Sequence, residues 1–308
     1  MSRILVIGDL MVARYRFFKP LRSDPANNVA LVVECEKQVD VDGGAGNLVR
    51  NLESLCKKEI NFFHSYGDGY IPNYKDKIAT KIRYYVEDKF ILREDEYDSI
   101  EHNKSIVQDF INFIEPNDFV IISDYHKGTL DYNDIACIIK KCRNTDGVKV
   151  LVDTNYVYPE HEGIDWLKIN LKTAKECIKK FSKDTAEKIA EMNNSNVIVT
   201  QGEEGFTAYL KNTKTTIVFT KDKNESCVDT IGAGDTFLAG FVSYLVKHND
   251  ADLPALVYAD IVAHLSTQKL GTIDVVDVDE ADAEYKNAKT SIEECKDTLY
   301  VHRTIVND

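Results

Sequence analysis

Short apolar runs recur along this chain, and each ends on a small or polar residue. ILVIGD (4–9), INFFHSYG (60–67), DFVIISDY (118–125), VKVLVDTN (148–155), WLKIN (166–170) and NVIVTQG (196–202) are rich in β-branched or aromatic residues and predict buried strands. Between them lie segments with helical signals. GAGNLVRNLESLCKK (44–58) has apolar residues at helical spacing, DYNDIACIIKKCRN (131–144) opens on capping residues and closes on cations, and KDTAEKIAEMNN (183–194) is a third. Strands that alternate with helices predict a parallel sheet covered on both faces, an α/β fold of the doubly wound kind. Ligands collect at the carboxyl ends of strands in such sheets. Asp9, Asp124, Asp153, Asn170 and Gly202 all fall there.

Two segments break the alternation. VALVVECEKQVDV (29–41) and IATKIRYYVEDKFILR (78–93) alternate charged with apolar residues and predict exposed strands or hairpins. They form either a small second sheet, a lid over the main site, or extra edge strands; the pattern favours neither. The acidic stretch DVVDVDEADAE (274–284) predicts a solvated link into a final helix over 282–298. With no internal repeat, low-complexity tract or Pro/Gly linker, residues 1–308 read as one domain.

Charge and cysteine usage narrow the partners. A net charge of −13 argues against a general nucleic-acid binder, while a few local Lys and Arg can still hold a phosphorylated small molecule. Seven cysteines, odd in number and without a CxxC pair, predict reduced thiols. MSRILVIGDLMV is interrupted by Asp9 and predicts a buried first strand, not a signal peptide. No stretch approaches the ~18 apolar residues of a membrane span. The expectation is a cytoplasmic chain with neither nucleic-acid nor membrane partners.

The stretch with the most chemistry is CVDTIGAGDTFLAGF (227–241). Gly232, Ala233 and Gly234 precede a predicted helix over 235–247, whose N–H groups and dipole favour an anion. Asp235 stands at the mouth of that pocket. A carboxylate does not hold phosphate, but it can take a proton from an attacking hydroxyl. An ordinary capped helix start also accommodates Asp, and the short Gly-x-Gly-Asp string alone does not separate the two.

The longer string does. DTIGAGDTFLAGF resembles the signature of the ribokinase-like (phosphofructokinase-B type) carbohydrate kinases, which phosphorylate sugars, sugar phosphates and nucleosides from ATP. VDGGAGNLVRNLESL (41–55) is similar to that family's acceptor-binding turn. GDLMVARY (8–15), ATKIRYYV (79–86), VIISDYHKGTL (120–130) and QKLGT (268–272) resemble the heptose 7-phosphate kinase domains of ADP-heptose synthesis. The likeness spans most of residues 3–275 and implies a three-layer, mostly parallel sheet with a small β lid made of strands within 10–41 and 78–95. It implies Asp235 as general base and Gly232, Ala233 and Gly234 as the anion hole. Gly43, Gly44 and Asn47 would hold the acceptor, with Asp9 at the start of its motif. Asn170 heads a metal-linked motif; Thr200, Gly202 and Gly205 would line ATP, and Lys269, Gly271 and Thr272 would lie beside the adenine. Mg²⁺ would travel with ATP, held mainly by phosphates and water. The lid is a candidate homodimer interface.

Four departures accompany the likeness. Ala13 stands where the family carries a sugar-binding Asp, so acceptor recognition there is lost or moved. Asn170-Leu-Lys-Thr173 replaces Asn-x-x-Glu, which removes a charge that orients metal-bound water. Asp153-Thr154-Asn155 replaces Asp-Pro-Lys, and residues 68–77 are too short for the usual helix and strand, which implies a fold trimmed by one βα unit. Lys81, Arg83, Arg93 and Lys127 are candidates to hold a substrate phosphate, Lys127 foremost. Three functions stay open: a sugar or sugar-phosphate kinase, a nucleoside kinase, and a fold that binds nucleotide or sugar phosphate without turnover. No stretch reads as the nucleotidyltransferase domain fused to some heptose enzymes.

Overall fold

A computed structural model of the chain describes residues 2–24, 31–66, 78–87, 89–97, 99–100, 102–157, 161–178, 182, 184–222, 227–248 and 252–304. In chain order the strands are β1 (Ile4–Gly8), β2 (Leu10–Ser23), β3 (Leu31–Gly44), β4 (Asn61–Phe63), β5 (Thr80–Val86), β6 (Lys89–Glu96), β7 (Phe119–Asp124), β8 (Lys149–Thr154), β9 (Trp166–Asn170), β10 (Asn196–Thr200), β11 (Phe206–Leu210), β12 (Thr215–Lys221), β13 (Lys289–Cys295) and β14 (Thr298–Thr304). The helices are α1 (Ala45–Cys56), α2 (Lys104–Phe113), α3 (Tyr132–Arg143), α4 (Leu171–Cys177), α5 (Thr185–Asn193), α6 (Ala233–His248), α7 (Asp252–Thr267) and α8 (Val278–Asn287).

The main sheet runs β13-β14-β12-β11-β10-β9-β8-β7-β1-β4, and β10 through β4 are parallel. Those six parallel strands are the six apolar runs of the sequence. Their continuity follows from having a core on each face: Ile4 and Val6 point into one hydrophobic layer, Leu5 and Ile7 into the other. The first layer is closed by Leu48 and Leu52 of α1, Phe241 of α6 and Ile261 of α7, the second by Phe110 of α2, Ile135 of α3 and Ile189 of α5. This is the three-layer doubly wound fold expected.

The two irregular segments, together with β2, form a separate sheet, β3-β2-β5-β6, instead of extending the edge of the main one. The segment 68–77, on which the trimmed unit rests, lies outside the described residues.

The chain after residue 288 corrects the sequence reading. No helix covers 282–298: α8 ends at Asn287, and β13 and β14 form a hairpin that joins the main sheet beside β12. The alternation of TLYVHRT is the physical reason, since Val301 and Arg303 turn inward with period 2 while Tyr300 faces out. Among the described residues, no helix is long and apolar enough to cross a membrane.

Candidate active site

The glycine-rich turn sits where two cavities meet at the start of α6. Gly232 has φ +80°, and a Cβ there would stand 2.5 Å from Thr272 Cγ2 and 2.8 Å from Asn47 Nδ2, so the turn needs glycine for its conformation and its packing. First-turn N–H groups have no carbonyl behind them in the helix. That of Ala233, expected in the anion hole, donates instead to the Thr230 carbonyl at 3.3 Å, and that of Thr236 to the Gly232 carbonyl at 3.0 Å, so the donors of this turn that could receive an anion are those of Gly234 and Asp235. A Cβ built on Gly234 would meet only Lys168 Nζ, at 3.6 Å, which leaves a cradle open above the helix end.

The larger cavity, about 510 Å³, is lined by Thr200, Gly202, Gly205, Phe206 and Phe237 among others, a size and mixed lining that could hold a nucleotide. The smaller, about 170 Å³, is bordered by Asp124, Asp153, Lys168, Asn170 and Asp235. Thr200 and Gly234 line both, so the cavities adjoin at the helix end.

Asp235 is buried at the first turn of α6. Its Oδ2 accepts from Asn47 Nδ2 at 2.9 Å, and its Oδ1 accepts from the Tyr125 hydroxyl. Burial raises its carboxyl above the ordinary carboxylate range; the hydrogen bonds from Asn47 and Tyr125 oppose that rise. Asn47 is itself oriented, because its Oδ1 accepts from Asn51 Nδ2 at 3.2 Å, which turns the amide NH₂ toward Asp235. Asn47 and Asp235, predicted from segments 188 residues apart, therefore meet.

Two residues at this site escaped the sequence reading. Lys168 Nζ donates to both Asp153 oxygens at 2.8 Å, with the side chains 6% and 13% exposed. The signal was a charge inside the apolar run WLKIN. In β9 it shares a face with Asn170, two residues on, and so points toward the same cavity rim. The other is Tyr125, read only as part of a motif.

The remaining predicted residues fall into four places. Asp9 accepts from the N–H groups of Tyr125 and Lys127 at Oδ2 and of Thr129 at Oδ1, at 2.9 to 3.0 Å, so its carboxylate clamps the loop after β7. Gly43 and Gly44 end β3 at the head of α1, Gly44 with φ +59°. Gly271 and Thr272 pack on Tyr15, whose hydroxyl accepts from Thr272 N–H at 2.8 Å, while Lys269 turns to the Val275 carbonyl and Glu280. Asn170 caps α4 through Thr173 N–H at 2.9 Å, and the Thr173 hydroxyl donates to the Asn155 carbonyl at 3.2 Å.

The second sheet brings positive charge to the site. Ala13, Tyr15, Lys81, Arg83 and Tyr85 share one of its faces. Lys81 Nζ lies 5.4 Å from the Tyr125 ring, and Tyr85 donates to Asp229, just before the glycine turn. Arg83 is 5% exposed, and its Nε and Nη1 are buried with no hydrogen-bond partner. Its guanidinium lies 5.4 Å from the Tyr15 ring. Burial, together with Arg93, Lys127 and Arg83, lowers the affinity of Lys81 for its proton. A buried guanidinium with unmet donors is costly unless an anion joins it.

A model of the pfkB family of carbohydrate kinases matches residues 1–279. Among curated relatives, the bifunctional protein HldE of Sulfurimonas denitrificans is 27% identical over 318 residues, covering 91% of this chain and 64% of its own length. HldE of Aliarcobacter butzleri is 29% identical over 301 residues, covering 87% and 61%. The chain spans just under two thirds of the length of these relatives. Phosphofructokinase-2 from Escherichia coli, solved with substrates and products, superposes with a TM-score of 0.69 at 14% identity, over 92% of this chain and 99% of that one. Ribokinase from Thermotoga maritima does so at 0.67 and 19%, over 93% and 100%. These structures share the fold.

Proposed function

This chain belongs to the pfkB family of carbohydrate kinases, and we propose that it transfers the γ-phosphoryl group of ATP to a hydroxyl of a phosphorylated sugar resembling heptose 7-phosphate. The observation that carries the reading is the buried Asp235 carboxylate on the smaller cavity, next to Gly234 where that cavity adjoins the larger one, aimed by Asn47. ATP fits the larger cavity, with its phosphates at the open cradle above Gly234. The acceptor hydroxyl would lie beside Asp235, give it a proton, and attack the terminal phosphorus; the first turn of α6 and Lys168 would hold the charge in transfer. The bond broken is that between the γ-phosphorus and the bridging oxygen, and ADP leaves.

Mg²⁺ also fits this donor set. It prefers phosphate oxygens and water with one or two carboxylates. Asp124 and Asp153 border the smaller cavity. Thr173 supplies no charge, so these carboxylates would face the hydrated ion.

Arg83 favours a phosphorylated acceptor over a neutral sugar. A panel of sugars, sugar phosphates and nucleosides, read by ADP release, tests the reading: turnover is expected with a sugar phosphate, and none with any acceptor would overturn it. Arg83→Met should raise KM for that acceptor by about 10- to 100-fold, the worth of a hydrogen bond to a charged group. KM for ATP should stay within about twofold.

The second sheet would serve as a lid and as a homodimer contact. Leu21, Leu31, Phe90, Ile91 and Leu92 are all exposed on it, which supports a covered face. Sedimentation should find a dimer, and Ile91→Asp should shift it to monomer.

A further inference from the structure

We propose that Tyr125 is a positioning residue for the general base. Its hydroxyl donates to Asp235 Oδ1 and keeps that carboxylate ionised and aimed for the acceptor's proton. The inference rests on the reading of Asp235 as base.

The contact is built into the fold. The loop that carries Tyr125 is fixed at its backbone by Asp9, which is 1% exposed and accepts from the N–H groups of Tyr125, Lys127 and Thr129. His126 adopts φ +58°, with its N–H on Asp124 Oδ1 at 2.7 Å. Gly128 has φ +120°, and a Cβ there would fall 2.4 Å from the Ile100 carbonyl oxygen. Such a loop has little freedom to relocate its first side chain. Asp9, predicted at the acceptor site, thus acts on that site through Tyr125.

The division of the carboxylate follows. Asn47 takes Oδ2 and Tyr125 takes Oδ1. Each ionised oxygen has two acceptor positions, so one remains on each for an incoming hydroxyl. The groups that face Asp235 are Asn47 of α1, Tyr125 of the loop after β7, Asp153 of β8 and Lys168 of β9. Behind Tyr125 stand Asp9 and, over its ring, Lys81 of β5. Asp153 opposes ionisation of Asp235, whereas Lys168, Asn47 and Tyr125 favour it. Tyr125 is the donor in this contact and Asp235 the acceptor.

Tyr125→Phe removes the donor and leaves the backbone clamp. Its kcat/KM should fall about tenfold, mostly in kcat, and the acid limb of the pH profile should move up by about one pH unit, the size of one hydrogen bond. A ¹³C titration of the Asp235 carboxyl, assigned by its loss in Asp235→Asn, should show the same upward shift without any turnover. Asp9→Asn, which loosens the loop, should shift it in the same direction and serves if Tyr125→Phe folds poorly. An unmoved acid limb and carboxyl titration, or a Tyr125→Phe variant faster than the wild type, would overturn the proposal. A wild type inactive on every acceptor overturns the kinase reading instead, and the carboxyl titration then still decides Tyr125.

Discussion

Asp235→Asn should lower kcat by about a thousandfold, the scale of a lost general base, with KM for ATP nearly unchanged. The asparagine keeps the shape of the site. Its Oδ1 can accept from Asn47 Nδ2, and its NH₂ can donate to the Tyr125 hydroxyl, so both protein contacts survive while the proton acceptor is lost. The same substitution should not lower the melting temperature at neutral pH. The folded-state pKa of Asp235 lies above its unfolded value because of burial. The stability linked to that shift is present below the unfolded pKa and is lost as pH rises through the folded one. Wherever the group is ionised it therefore costs stability, which the neutral amide relieves. Initial rates of ADP release and thermal melts on one preparation check both halves. A variant that loses activity and stability together would make Asp235 a structural residue and would overturn its assignment as base.

The fold was legible because its central strands are buried on both faces and so read as unbroken apolar runs. Helix α7 was not legible. Residues 255–262 are buried all round, which leaves no polar stripe to mark the helical period. The C-terminal hairpin was missed because the acidic run before it was read as a solvated link into a final helix over 282–298, whereas the alternation that marks β14 occupies only its last residues. At the site, Asp235, Asn47 and the glycine turn were legible as motifs. Tyr125 and Lys168 were not, because their roles depend on which strand ends the sheet brings together. Arg83 was readable as a cation in an exposed-looking strand. Its burial without partners appears only once the second sheet is folded, with its guanidinium beside the Tyr15 ring.

Lys168→Met should lower turnover by about 100-fold or more and also cut stability, and the two effects separate in a double variant. Lys168 and Asp153 form a buried pair, and removing one partner leaves a buried charge uncompensated, at about 3–5 kcal/mol. The melting temperature of the single variant should fall accordingly. Replacing both partners with uncharged groups, as in Asp153→Asn with Lys168→Met, removes the orphan charge and should restore most of that loss. Turnover should not return. Lys168 Nζ is the atom nearest the cradle above Gly234, and a cation placed where charge develops contributes about 10²–10³-fold in rate. The single variant alone would not separate a misfolded site from a missing charge. A double variant with a recovered melt and a kcat well below that of Asp153→Asn alone assigns Lys168 to the transferring phosphoryl group; a kcat equal to that of Asp153→Asn would leave Lys168 a purely structural partner of Asp153.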